Sequence, residues 1–265
     1  MANVMGLATC FFREPTVQKW QAAAAAGFTE AEIDVDGRQS VEDICCSAQR
    51  QDDCLRAGGL QPSSLHLPFG NAWDLSAEDP ARARQALTGL ARILRWAAGH
   101  QIMLAVLHAS FEPIPPERRS VRLEQATAGI RQLAQLAQEL GVRLAVEDLP
   151  RTCLGNCADE LLQLTDHGRT AGVCFDVNHL LRETHQSFIS KLGSAILTTH
   201  LSDYDRLDER HWAPGEGCID WTALKQQLLA EGYQGRWLFE FNELAAPRLG
   251  RAITPAELAA RFKAY

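Results

Sequence analysis

Four apolar runs each end in a side chain that can bind a metal ion. Val142–Pro150 (VRLAVEDLP) carries Glu147, Ala171–His179 (AGVCFDVNH) carries Asp176, Ala195–Asp203 (AILTTHLSD) carries His200 and Gly235–Asn242 (GRWLFEFN) carries Glu240. A buried carboxylate is costly unless a cation or another partner receives it, so four such ends point to one shared site. Three carboxylates and one imidazole form an oxygen-rich donor set suited to one divalent cation, Mn²⁺, Co²⁺, Mg²⁺ or Zn²⁺, and unlike a thiolate-rich structural zinc site. With three carboxylates around one ion, a carboxylate oxygen remains available as a base.

Further polar groups gather at the ends of the neighbouring runs. Counted along the chain, the third run ends in His66 (within SLHLPFG) and the fourth in His108 (within AVLHAS), His179 follows Asp176, and Arg206 and His211 lie in the segment after His200. Each has a plainer reading taken singly. A histidine at a strand end is commonly a hydrogen-bonded rim residue, Glu147 or its neighbour Asp148 can cap a helix, and Asp176 can satisfy a loop amide. The plainer account needs several independent coincidences at one place. The remaining histidines, His100, His167 and His185, fall at helix ends or turns, where surface roles suffice. Trp73 and Trp212 offer a flat stacking face or ordinary packing. In the P-G-E-G turn, Gly215 and Gly217 read as conformational glycines, and Glu216 is open.

The elements that must position these groups alternate. Strands are expected over Asn3–Phe11, Phe28–Val35, Ser63–Phe69, Ile102–His108, Arg143–Leu149, Gly172–Val177, Ile196–Leu201 and Trp237–Phe241. Helices are expected over Thr16–Ala26, Val41–Ala57, Pro80–Ala98, Pro116–Leu140, Ala158–Asp166, Thr184–Leu192, Asp220–Ala230 and Pro255–Lys263. Thr16 and Asp220 stand at N-cap positions, and Gly27, Gly99, Gly141 and Gly232 just past helix ends. Eight strands alternating with eight helices and no long linker make an α/β chain, a single (β/α)8 TIM-barrel domain over residues 1–265 with its site at the carboxyl ends of the strands. A doubly wound open sheet is the alternative, but Met1–Pro15 holds no G-x-G-x-x-G.

Composition sets outer limits. With 265 residues, 46% of them hydrophobic, the chain can build a full core, which excludes a disordered protein. A formal net charge of −7 argues against a nucleic acid or an anionic membrane as partner. Arg118, Arg119 and Arg122 read as the solvated face of the fourth helix. No segment has the roughly 18 uninterrupted apolar residues of a membrane span. Met1–Cys10 lacks the basic start and apolar run of a secretory signal, so a cytoplasmic protein with eight free thiols is expected. Cys153 and Cys157 have no second pair to complete a zinc site.

FDVNH (Phe175–His179), THLSD (Thr199–Asp203), HWAPGEGCIDW (His211–Trp221) and WLFEFN (Trp237–Asn242) resemble the xylose isomerase-like TIM-barrel family, and the likeness runs nearly the length of the chain. That family contains sugar and sugar-phosphate isomerases and epimerases and endonuclease IV. The resemblance implies a metal held by Glu147, Asp176, His200 and Glu240, with His179 and Arg206 facing substrate oxygens beside His66, His108 and His211. It implies a small sugar or sugar phosphate as partner and proton transfer through an enediolate, with Glu147 and Glu240 as acid and base. The main rival is a three-zinc phosphodiesterase acting on abasic DNA, as in the endonuclease IV branch. Against it, Glu209 stands where that branch has Asp two residues before the histidine. A metal-dependent dehydratase and a non-catalytic sugar-binding barrel are further alternatives. A homodimer or larger homo-oligomer is left open.

Overall fold

The computed structural model describes residues 4–265; the expected strand start at Asn3 lies outside them. Eight parallel strands close into a barrel in sequence order, with β1 returning to pair with β8. The strands are β1 (Met5–Ala8), β2 (Glu30–Ile33), β3 (Gln61–His66), β4 (Leu104–Leu107), β5 (Arg143–Glu147), β6 (Gly172–Asp176), β7 (Ile196–Leu201) and β8 (Trp237–Phe239). The helices are α1 (Val17–Ala25), α2 (Val41–Ala57), α3 (Pro80–Gly99), α4 (Arg119–Glu139), α5 (Ala158–Leu164), α6 (His185–Leu192), α7 (Trp221–Ala230) and α8 (Pro255–Ala264). Every expected element is present. Most strands stop short of their expected carboxyl ends because the chain peels away into the loops that build the site; after β1, for example, Thr9–Phe11 form a short 3-10 turn.

The helix boundaries follow local chemistry. Thr16 accepts from the Lys19 amide, and Asp220 from the Ala223 amide. Gly27, Gly141 and Gly232 adopt positive φ after α1, α4 and α7. Gly99 does not: α3 runs through it, and Gln101 takes the left-handed position instead. His185 also departs from its expected surface role. It is buried at the start of α6, with Nε2 2.7 Å from the Val177 carbonyl oxygen. Burial pushes its imidazole pKa down to about 4.

Two cores result from the two faces of each strand. Outward residues such as Leu144, Val146, Val173 and Phe175 pack beneath the helices. Leu104, Val106, Ala145 and Cys174, with Leu197, fill the barrel axis. Side chains alternate along a strand, so the residue two beyond an axis-filling residue also points inward, at the carboxyl end. Ala145 thus predicts Glu147, and Cys174 predicts Asp176. The same parity turns Asp148 away from the axis.

Candidate active site

Glu147 ends β5, Asp176 ends β6, His200 lies in β7 and Glu240 follows β8. Their ligating atoms all lie within 4.8 Å of one another, and the first three side chains are fully buried. His200 Nδ1 is 2.9 Å from Glu240 Oε2 and 3.2 Å from Glu147 Oε1, so two carboxylates flank one imidazole nitrogen. The other nitrogen, Nε2, is 2.8 Å from Oε1 of Glu32, a fully buried residue of β2 on the other side of the barrel. Asp176 Oδ1 accepts from the Asn178 amide, while its buried Oδ2 has no hydrogen-bond partner. An orphaned carboxylate oxygen converging with two more carboxylates and one imidazole fits a divalent cation.

The rim histidines enclose this quartet. His66 Nε2 and His108 Nε2 each stand 3.0 Å from Glu147 Oε2. His66 Nδ1 faces the Leu67 carbonyl oxygen at 2.9 Å, so both of its nitrogens meet acceptors. Burial disfavours its charged form, but the Glu147 hydrogen bond and charge outweigh that and raise its pKa to about 10. Burial holds the His108 imidazole below its ordinary value despite Glu147. His179 Nδ1 contacts the Asp148 carbonyl oxygen at 2.8 Å, and Nε2 lies 3.3 Å from Glu209 Oε2 and 3.5 Å from Asp176 Oδ2. His211, at φ 48°, completes a trio with Asp176 and His179. Burial pushes the Glu147 carboxyl upward, but the charges and hydrogen bonds of His200 and His108 prevail and hold it well below the usual range.

These groups open into a cavity of about 220 Å³. Its apolar wall is Phe69 and Phe111, with Phe69 stacked on His108 at 4.4 Å between ring centroids. The two tryptophans lie elsewhere. Trp73 is buried with Nε1 donating to the Gly37 carbonyl oxygen at 2.7 Å, and Trp212 pairs its backbone with Asp203. Arg206 is exposed and lines a separate groove beside α6 and α7, so the structure does not bring it to the cavity. Arg151 occupies the mouth instead. Of the three arginines near α4, Arg118 is solvated as expected and pairs with Glu78 at the surface, whereas Arg119 is locked to Glu160 at 2.6 Å and Arg122 to Asp74 at 2.6 Å.

The loop that carries His211 is held from inside by buried carboxylates. Asp203 Oδ1 accepts from the Tyr204 and Ile219 amides; Oδ2 accepts from the Gly215 amide and Trp221 Nε1. A side chain on Gly217 would stand 2.2 Å from the Tyr204 carbonyl oxygen, so this glycine serves close approach, whereas Gly215 serves a φ of 86°. Glu216 is structural: it accepts from the Arg248 and Leu249 amides and pairs with Arg261 at 2.9 Å.

Sequence reasoning missed Glu32, Phe69, Phe111, Arg151 and, as a cavity residue, Glu209. Glu32 alone had a local signal, a carboxylate inside a short strand otherwise ready for burial. All eight cysteines are free, as expected, and no helix among the described residues is long and apolar enough to cross a membrane.

Comparison with known proteins places the chain. Solved structures share the architecture: a D-psicose 3-epimerase from Clostridium cellulolyticum H10 aligns at TM-score 0.74 and 19% identity, covering 99% of this chain and 98% of its own. A 3-keto-D-glucoside 4-epimerase from E. coli aligns at 0.75 and 19%, covering 98% and 99%. At that identity the likeness is one of fold. An uncharacterized protein of Methanocaldococcus jannaschii is 26% identical over 121 residues, 43% of this chain and 41% of that protein. One from Sinorhizobium fredii is 27% identical over 106 residues, 38% and 34% respectively. The chain thus spans less than half the length of these curated relatives. A family model described as xylose isomerase-like TIM barrel matches residues 20–261, nearly the whole barrel including Glu147, Asp176, His200 and Glu240, and the chain belongs to that family.

Proposed function

We propose that the protein is a divalent-metal-dependent isomerase or epimerase of small sugars, with Glu147, Asp176, His200 and Glu240 holding the cation. One observation carries this reading: Glu147 and Glu240 reach the same imidazole nitrogen from β5 and β8, at the floor of a cavity sized for one monosaccharide. The sugar epimerases among the structural neighbours support it through their shared fold. When bound, the cation would supply Lewis-acid stabilisation of charge developing on substrate oxygens.

The acid–base work belongs to the chain. Glu240, with 17% side-chain exposure, is the more accessible carboxylate and takes the proton from the carbon beside the carbonyl. The C–H electron pair forms the carbon–carbon double bond of an enediolate, and the carbonyl oxygen takes the charge. Glu147 takes a proton from His66, whose Nε2 stands 3.0 Å from its Oε2, and delivers it to the opposite face, giving the epimer; the proton left on Glu240 then exchanges with solvent, which reprotonates His66. Delivery to the neighbouring carbon gives the aldose–ketose isomer. His179, facing Asp176 and Glu209, is placed to hold a substrate oxygen.

The test is enzyme-dependent deuterium uptake next to the carbonyl of ketoses in D₂O. Glu240→Gln should abolish uptake while metal analysis still finds part of the ion bound; substantial uptake in that variant would overturn the assignment. A second reading, phosphodiester hydrolysis, is favoured by one feature. The trios His66–His108–Glu147 and Asp176–His179–His211 share Glu147 and Asp176 with the central quartet, an arrangement able to hold several ions. About three ions per chain, with nicking of abasic DNA, would establish that reading, whereas about one ion accords with the isomerase.

A further inference from the structure

We infer that the cavity selects an uncharged sugar and rejects its phosphate esters; this rests on the sugar reading above. Arg151 is the sole arginine or lysine among the described residues lining the cavity, and all three of its guanidinium nitrogens are committed. Nε donates to Glu112 Oε1 at 2.8 Å, Nη1 to Asp208 Oδ1 at 2.8 Å and Nη2 to Glu209 Oε1 at 2.8 Å. One cation thus clasps three carboxylates from the loops after β4 and β7. A phosphate needs uncommitted, charge-assisted donors, and here it would meet surplus negative charge.

The backbone offers no substitute. TIM barrels frequently bind phosphate with the loops after their last two strands. In this chain four amides of those loops already serve internal carboxylates: Gly215 and Ile219 donate to Asp203, and Arg248 and Leu249 donate to Glu216. At the entry to α5, the Gly155 amide donates to Glu160 and the Ala158 amide to Glu183. Each of these cradles holds a carboxylate of the protein. What the cavity offers a substrate is instead the apolar wall of Phe69 and Phe111, matched to the C–H face of a sugar, and imidazoles for its hydroxyls.

The test follows deuterium exchange by NMR with the metal-loaded protein, using matched pairs of ketopentoses and ketohexoses and their 1-phosphates and terminal phosphates. Exchange should occur with free sugars, with kcat/KM at least about 100-fold lower for the esters, and millimolar inorganic phosphate should not compete. Asp208→Asn, which loosens the clasp without altering a cavity-lining group, should narrow that ratio by about tenfold. Preference for an ester, or competition by inorganic phosphate, overturns the inference while leaving the sugar reading intact. An unchanged ratio in Asp208→Asn also counts against it, because the clasp would then not set the preference. Exchange with neither class removes the sugar reading and the inference together.

Discussion

Replacing Asp203 with asparagine should destabilise the protein by about 3 kcal/mol. The carboxylate is fully buried and accepts four hydrogen bonds, two on each oxygen, at 2.9–3.1 Å. In either orientation of the asparagine amide, an NH₂ group replaces one oxygen and faces two N–H donors, so two bonds are lost whichever way the amide turns. Bonds to a charged acceptor contribute about 1.5 kcal/mol or more each, which gives the total. For a chain of this size that corresponds to a fall in Tm of about 6 °C. Urea denaturation of Asp203→Asn beside the parent protein measures it, and proteolysis within residues 205–218 should accelerate because those bonds span that loop. A loss below about 0.5 kcal/mol, with unchanged cleavage, would refute the view that Asp203 holds the loop carrying His211.

Two further outcomes follow from buried groups. Glu32→Gln removes the charge facing His200 Nε2 and should weaken Mn²⁺ binding by about 10–100-fold in calorimetric titration, since partners behind a metal-ligating histidine set its tautomer and orientation; an unchanged affinity would dismiss that role for Glu32. His185 titrates at about 4 in the fold against an ordinary 6.5, so the unfolded chain binds the extra proton between those values. Stability associated with neutral His185 is therefore complete above pH 6.5 and declines as pH falls toward 4, by about 3 kcal/mol at the limit. His185→Gln, which keeps a donor for the Val177 carbonyl, should flatten the pH dependence of the urea midpoint in that window. An identical slope in both proteins would contradict the assignment.

The convergence of Glu147, Asp176, His200 and Glu240 was legible because its signal is local. Buried parallel strands are continuous apolar runs, and a carboxylate or imidazole ending such a run stands out against it. Arg206 shows the opposite case. It shares a loop with His211, yet that loop is shaped by Asp203, Asn178 and Trp221, and its path leaves Arg206 facing α6 and α7. Trp73 is likewise turned into the body of the protein by a carbonyl 36 residues away, leaving Phe69 and Phe111 as the cavity aromatics. Arg119 and Arg122 lack any sequence mark distinguishing an ion pair from a solvated face; their acidic partners lie 41 and 48 residues distant.

From the sequence alone came the alternation of elements, the eight-stranded barrel and the four polar strand ends that converge, because each depends on periodicity and burial within a few residues. Tertiary structure decided the rest: Glu32 behind His200, Arg151 in place of Arg206 at the mouth, and carboxylates filling the loop cradles. Those arrangements are set by hydrogen bonds and ion pairs between residues far apart in the chain, which meet only when the barrel closes.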